Sequence, residues 1–131
     1  MIYHETRPWG SFELFHENRP CTVKLIHVNP NSRLSLQYHK QRSEFWRVVK
    51  GTALVELDGE RLALKEGEGI TIPKLSRHRL GAGAEPCTIM EIAYGQFDEN
   101  DIVRVEDDYR REAVATAESG LLAQARTTSA A

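Results

Sequence analysis

Asp58-Gly59 lies between two short apolar-rich runs, Ala53–Leu57 and Arg61–Leu64. A two-residue hairpin turn needs positive φ at both central positions, and Asp-Gly is among the pairs that tolerate it best. This stretch therefore predicts a tight antiparallel hairpin. The same rhythm of short runs and breakers continues on both sides. Strands are predicted at Ser11–His16, Thr22–Val28, Leu34–His39, Phe45–Val49, Ile70–Pro73, His78–Leu80 and Cys87–Tyr94. Asn29-Pro30-Asn31, Gly67, Gly69 and the stretch Gly81–Pro86 separate them. Short strands at close spacing imply an all-β sandwich or closed barrel, not βαβ units. About eight or more strands are expected in two facing sheets, with no helix beyond a turn or two before position 106.

The chain has 131 residues, the size of one domain, since domains commonly run to roughly 100–150. From Glu112 onward the composition shifts to Ala, Thr, Ser and Glu. The expected organisation is a barrel over 1–111 and a tail over 112–131, weakly helical or frayed. With 40% hydrophobic residues the barrel can bury a core. A net charge of -2 gives no electrostatic case for a nucleic-acid partner. No apolar run approaches the roughly 18 residues that a membrane helix needs. Met1–Gly10 lacks a basic start followed by an apolar core, so no signal peptide is expected. Cys21 and Cys87 form no spaced metal or redox pair. They read as small core residues of a cytoplasmic protein, although a pairing in space stays open.

The chemistry is expected at Gln37, His39, Glu44 and His78. Residues two apart on a strand point to one face, so Gln37 and His39 project together. Glu44 begins the next strand after the short turn Lys40–Ser43, and His78 follows Ile72-Pro73 from a distant strand. Alone, each histidine reads as a core or surface residue. Together the four offer two imidazole nitrogens, a carboxylate and an amide oxygen. That mixture suits a divalent ion such as Zn²⁺, Mn²⁺, Co²⁺, Ni²⁺ or Fe²⁺.

The spacing from Asn31 through Gln37, His39, Glu44 and Gly51 resembles the first cupin motif, with Asn31 at the usual first glycine and Gln37 at the usual first histidine. Gly67, Pro73 and His78 resemble the second, with Leu75 where a glycine is usual. Arg7–Phe12, Leu34–His39, Arg42–Trp46, Ile72–Leu80 and Asp101–Arg104 with Asp107 and Tyr109 are similar to the isomerase domain of type II mannose-6-phosphate isomerases. That resemblance implies a jelly-roll barrel, the double-stranded β-helix of cupins, with a metal, zinc first, in its mouth. It implies isomerisation of a phosphosugar, mannose 6-phosphate to fructose 6-phosphate. Two departures are Lys40 and Gln41 in place of a histidine-rich run, and Phe45 in place of a histidine after the glutamate.

Aldose–ketose exchange needs a base, and Lys24 and Glu91 are the candidates. Lys24 shares strand parity with Ile26 and Val28, which puts one charge on an otherwise apolar face. Such a lysine is either solvated or meets an anion. Glu91 interrupts the apolar run Thr88–Ala93, so it sits at the mouth or inside near the metal. Arg42 and Arg79 flank the proposed ligands and are either surface charges or phosphate clamps. His4, His16 and His27 read as surface or rim residues, Trp46 as core, and Trp9 as a packing anchor for the N-terminal strand. A homodimer is expected, with Trp9 and Phe12 crossing to the partner. Two further readings are a sugar- or small-ligand-binding cupin without turnover and a metal-dependent oxygenase. The oxygenase needs redox-active iron and is excluded by zinc.

Overall fold

The computed structural model describes residues 2–111, so the expected tail over 112–131 lies outside the described residues. The chain forms β1 (Tyr3–Arg7), β2 (Gly10–Leu14), β3 (Cys21–Val28), β4 (Leu36–Tyr38), β5 (Arg42–Lys50), β6 (Ala53–Leu57), β7 (Glu60–Leu64), β8 (Gly69–Ile72), β9 (His78–Ala82), β10 (Cys87–Gly95) and β11 (Val103–Glu106). Among the described residues there is no helix, and hence none long and apolar enough to cross a membrane. The strands make a four-stranded sheet, β3-β10-β5-β8, a five-stranded sheet, β11-β4-β9-β6-β7, and a separate β1-β2 hairpin. All pairings are antiparallel.

Alternation explains which side chains enter the space between the two large sheets. On β3, Ile26 and Val28 are buried while Val23 and Leu25 stand exposed on the outer face. Trp46 and Val48 from β5, Ile89 from β10, Val55 from β6 and Leu80 from β9 complete the core. Each fully buried aliphatic contributes about 1.5–3 kcal/mol relative to exposure.

The turns follow backbone chemistry. Asp58 and Gly59 take φ 47° and 90° in the β6–β7 hairpin, and Leu57 pairs Glu60 across it. Asn31 and Leu75, which stand where cupin motifs carry glycine, have φ 55° and 69°. Both substitutions thus keep a left-handed backbone. Asparagine tolerates it, whereas leucine accepts a strain of about 1–2 kcal/mol. Gly51 combines φ 79° with a close approach, since a Cβ there would meet the Pro86 carbonyl oxygen at 2.4 Å.

Two expectations are corrected. Trp9 is 71% exposed at the β1–β2 turn and anchors nothing in this fold. The packing falls to Phe15, whose ring lies 5.7 Å from that of Phe45, and to Glu13, which accepts from Arg47 at 2.9 Å. Cys21 is exposed, because it shares the outward parity of Val23 and Leu25, while Cys87 is buried. The two thiols are free and lie at opposite ends of the β3–β10 pair. His4 and His27 are exposed, and His16 is half-buried against Tyr94.

Candidate metal centre

Both large sheets contribute to one buried polar cluster. Ser35, Gln37 and His39 are buried and alternate with half-buried Leu34, Leu36 and Tyr38, so the first three share the inner face. On β5, Arg42, Glu44 and Trp46 occupy the same inward parity. On β9, His78 pairs Gln37 across the ladder, and opposed residues point to one face.

One ligand atom from each of His39, Glu44 and His78 lies within 4.8 Å of the others. His39 Nε2 is 3.3 Å from Glu44 Oε2, and His78 Nε2 is 3.9 Å from Glu44 Oε1. Each imidazole is fixed through its other nitrogen: Nδ1 of His39 lies 2.6 Å from the Asp101 carbonyl oxygen and Nδ1 of His78 2.9 Å from that of Ser76. A carbonyl only accepts, so Nδ1 carries the proton and the Nε2 lone pair faces the cluster. His78 Nε2 is buried and has no hydrogen-bond partner among the described residues. Gln37 is buried beside them, with Ser35 Oγ donating to its Oε1 at 2.6 Å. An amide oxygen keeps a second lone pair.

Charge is distributed to match. Burial, with help from Arg42 and His78, pushes His39 down to about 4 despite the opposing Glu44 carboxylate. Burial also lowers His78, so both imidazoles are neutral near pH 7. Burial opposes ionisation of Glu44, but Arg42 and the charge that the two imidazoles carry at low pH outweigh it and hold the carboxyl below its usual range. Arg42 Nε donates to Glu44 Oε2 at 3.0 Å, and Trp46 Nε1 donates to Oε1 at 3.0 Å. Neutral nitrogen ligands around one ionised carboxylate are the donor set that a divalent cation requires, so these residues fit such an ion.

Glu91 faces inward from β10, in register between Lys24 and Trp46. Burial raises its carboxyl to about 7, and the Glu44 charge adds to this while Lys24 and Arg42 oppose it. Lys24 Nζ stands 3.8 Å from Glu91 Oε2 and 5.3 Å from the Phe97 ring centre, and the Arg42 guanidinium lies over the same ring at 4.6 Å from its centre.

Arg79 is not brought to this cluster. It follows His78 directly, so its side chain leaves by the opposite face of β9. There it donates to the Leu34 carbonyl oxygen at 2.9 Å and to Glu106 at 3.2 Å. Of the two expected roles, surface charge or phosphate clamp, the structure shows neither beside the site: Arg79 ties β9 to the Leu34 carbonyl ahead of β4 and to Glu106 of β11. Phe45, one of the departures noted in the sequence, also faces away from the cluster, toward Phe15. The hydrogen bond from Trp46 and the aromatic floor at Phe97 were not anticipated. Parity with Glu44 carried the signal for Trp46, whereas Phe97 lies in an irregular segment where no period applies.

A family model described as mannose-6-phosphate isomerase C-terminal matches residues 2–107. The alginate biosynthesis protein AlgA of Pseudomonas aeruginosa is 44% identical over 109 residues, covering 82% of this chain and 23% of that protein. The mannose-1-phosphate guanylyltransferase ManC of Salmonella typhimurium is 41% identical over 107 residues, covering 80% and 22%. The chain thus spans less than a quarter of the length of these relatives. Among solved structures, a cupin-2 domain-containing protein from Shewanella frigidimarina superposes with a TM-score of 0.53 at 27% identity, covering 62% of this chain and 76% of that one. The fold is that of the cupins.

Proposed function

Since this chain belongs to the mannose-6-phosphate isomerase C-terminal family, we propose that it is an aldose–ketose isomerase of phosphorylated sugars, interconverting mannose 6-phosphate and fructose 6-phosphate. The observation that carries the reading is the convergence of His39, Glu44 and His78 within 4.8 Å, with Glu91 facing the same interior. His39, Glu44, His78 and the Gln37 amide oxygen would hold one divalent ion, zinc first. Bound there, such an ion supplies positive charge that stabilises negative charge developing on the oxygens of the reacting carbons.

The proton is assigned to Glu91. A carboxyl raised to about 7 is substantially ionised at neutral pH and is basic enough to accept a proton and give it back. In this scheme Glu91 takes the proton from C2 of the open-chain aldose. The resulting acid returns it to C1, and the C2 hydroxyl proton passes to the C1 oxygen, so no atom is gained or lost. Lys24, 3.8 Å away, supports the anionic form of Glu91 and is the more exposed of the two at 21% against 6%. Arg42 is bonded to Glu44 and so stands at the reacting end. Its role in substrate binding is assigned to the sugar oxygens there rather than to a remote phosphate.

We further propose a homodimer through the outer face of the four-stranded sheet and the hairpin beside it. Val23, Leu25 and Val49 are 56%, 58% and 51% exposed on that face, and Trp9 projects from the hairpin. Single exposed apolar residues are ordinary, but three on one sheet face offer apolar surface that a partner would cover. Sedimentation giving only monomer at micromolar concentration would remove this assignment. A cytoplasmic location is proposed with it, in keeping with the free thiols.

The second reading is a sugar-binding module without turnover. It is kept in view by the coverage, since the chain matches an alginate biosynthesis protein and a mannose-1-phosphate guanylyltransferase over less than a quarter of their length. One experiment separates the two. Metal is measured in the purified protein, and the metal-loaded protein is assayed with mannose 6-phosphate through a coupled fructose 6-phosphate readout. Turnover that disappears with chelator and in Glu91→Gln supports the isomerase. Stoichiometric metal and sugar phosphate binding without turnover supports the module, and bound iron with oxygen consumption would support the oxygenase instead.

A further inference from the structure

The segment joining β10 to β11 lies across the cluster, and one of its residues makes three contacts with a single short stretch of chain. The Asp101 carbonyl oxygen accepts from His39 Nδ1 at 2.6 Å. Its carboxylate Oδ1 accepts from the Lys40 backbone N–H at 2.8 Å, and Oδ2 accepts from that of Gln41 at 2.8 Å. Those amides belong to the turn that leads from His39 to Arg42 and Glu44. Asp101 is itself held, since its N–H donates to the Asp98 carbonyl oxygen at 2.9 Å and the adjoining Ile102 is buried.

We infer that Asp101 is the positioning residue of the metal centre, clamping the His39 ring and the ligand-bearing turn from a distant part of the chain. The inference rests on the reading of His39 as a metal ligand. Hydrogen bonds from backbone amides to an ionised carboxylate are about twice as strong as neutral ones. Two of them on adjacent amides fix where the Asp101 backbone sits, and the same backbone supplies the carbonyl that sets the His39 tautomer. The turn needs only its amides for this, because the Lys40 and Gln41 side chains are exposed. That explains why the replacement of a histidine-rich run by Lys40 and Gln41 leaves the geometry of the cluster intact. Groups that hold a metal-binding histidine through its second nitrogen commonly contribute about 10–100-fold to metal affinity.

The test uses Co²⁺ as the probe, with affinity read by chelator competition and the His39 ring read by side-chain ¹⁵N shifts in chelator-treated protein. Asp101→Ala should lower Co²⁺ affinity about tenfold or more and move the His39 nitrogen shifts toward a mixture of tautomers. Asp101→Asn keeps one acceptor oxygen and should retain part of the affinity. Asp108→Ala, which removes an exposed carboxylate paired with Arg33 at 2.7 Å, should bind Co²⁺ like the parent protein. His39→Ala separates this inference from its premise. If His39→Ala keeps full affinity, the ligand reading fails and the inference with it. If His39→Ala loses affinity while Asp101→Ala keeps it and leaves the shifts unmoved, the inference alone is overturned. Should Asp101→Ala fail to fold by circular dichroism, Asp101→Asn decides, and unchanged affinity with unchanged shifts overturns the proposal.

Discussion

Two arginines flank proposed metal ligands in the sequence, and the fold sends them to opposite sides of the barrel wall. Arg42 lies two residues before Glu44 and shares its face, so it is buried inside with its guanidinium on that carboxylate. Arg79 lies one residue after His78 and leaves by the other face, where it meets Glu106. Both arginines are almost fully buried, but their partners are not alike: Glu44 is 1% exposed and Glu106 is 63% exposed. An ion pair closed off from water on both sides is a commitment that neither member can leave cheaply. A pair with one wet member keeps solvent as a substitute. Proximity in sequence to a ligand therefore says little about function on a strand until parity is counted.

The largest effect that can break this contrast is expected from Glu44→Ala. It leaves the Arg42 guanidinium and the Trp46 indole N–H without their carboxylate acceptor in a buried site. Removing one member of a buried pair costs about 3–5 kcal/mol. Denaturant titration of chelator-treated protein should show a loss of that order, and metal analysis should show an empty centre. A loss below about 1 kcal/mol would mean that the inner pair is no more demanding than the outer one.

Next in size is the effect on turnover. Arg42→Ala removes a fixed positive charge from the reacting end, and losing one such group typically lowers kcat about 10²–10³-fold. Arg79→Ala should leave kcat within about twofold while lowering stability by about 1–3 kcal/mol, because it abandons the Leu34 carbonyl as an acceptor. Steady-state kinetics and melting curves on the two variants test the contrast directly. Equal kinetic losses would place the phosphate on the outer face and overturn the arrangement.

Much of this arrangement was legible from the sequence, and the legible parts share one cause. Period-2 parity put Lys24, Ile26 and Val28 on one face and Gln37 with His39 on another, and the Asp58-Gly59 turn announced its hairpin. The motif positions held by Asn31 and Leu75 kept their left-handed backbone despite the altered side chains. The same parity rule separates Arg79 from His78. Other features had no local signature. Trp9 is large and apolar yet exposed, because a turn between two short strands has no core beneath it. β11 pairs β4 only through tertiary contacts, and the Asp101 clamp joins residues about sixty positions apart. Such contacts depend on how sheets close, which no window of sequence contains.

A smaller effect concerns pH, and it asks whether the inner face carries the titrating groups. In the folded chain His39 drops from 6.5 to about 4 through burial, so the folded state binds this proton less readily than the unfolded one. Its contribution to stability is present above 6.5 and is lost as pH falls toward 4. Glu91 rises from 4.5 to about 7, so its protonated form stabilises at low pH, and that contribution is lost as pH climbs from 4.5 to 7. Between these limits the two slopes oppose each other. In chelator-treated protein, Glu91→Gln removes the falling arm. The stability of this variant should therefore rise with pH more steeply than that of the parent, by about 1.4 kcal/mol per pH unit between roughly pH 5 and 6. His78, lowered in both proteins, cancels in the comparison. Parallel curves from urea titrations at several pH values would show that Glu91 is not the buried acid of the site.

The smallest effect is expected from Glu106→Ala, and it sharpens the contrast from its weak side. Glu106 Oε1 accepts from Arg79 NH1 at 3.2 Å, but the carboxylate is 63% exposed. Its field is screened by solvent, and pairs of this kind contribute about 0–1 kcal/mol. Arg79 also keeps two acceptors that the substitution does not touch, the backbone carbonyls of Leu34 at 2.9 Å and of Glu106 itself at 3.3 Å. The guanidinium is therefore not orphaned when the side chain goes. Glu106→Ala should lower stability by less than about 1 kcal/mol, with the loss shrinking further at high salt. Metal content and kcat should equal those of the parent, since the side chain lies behind the wall that carries His78. A loss comparable to that of Glu44→Ala would mean that the outer ladder, and with it the placement of Arg79, holds the barrel closed as firmly as the buried pair does.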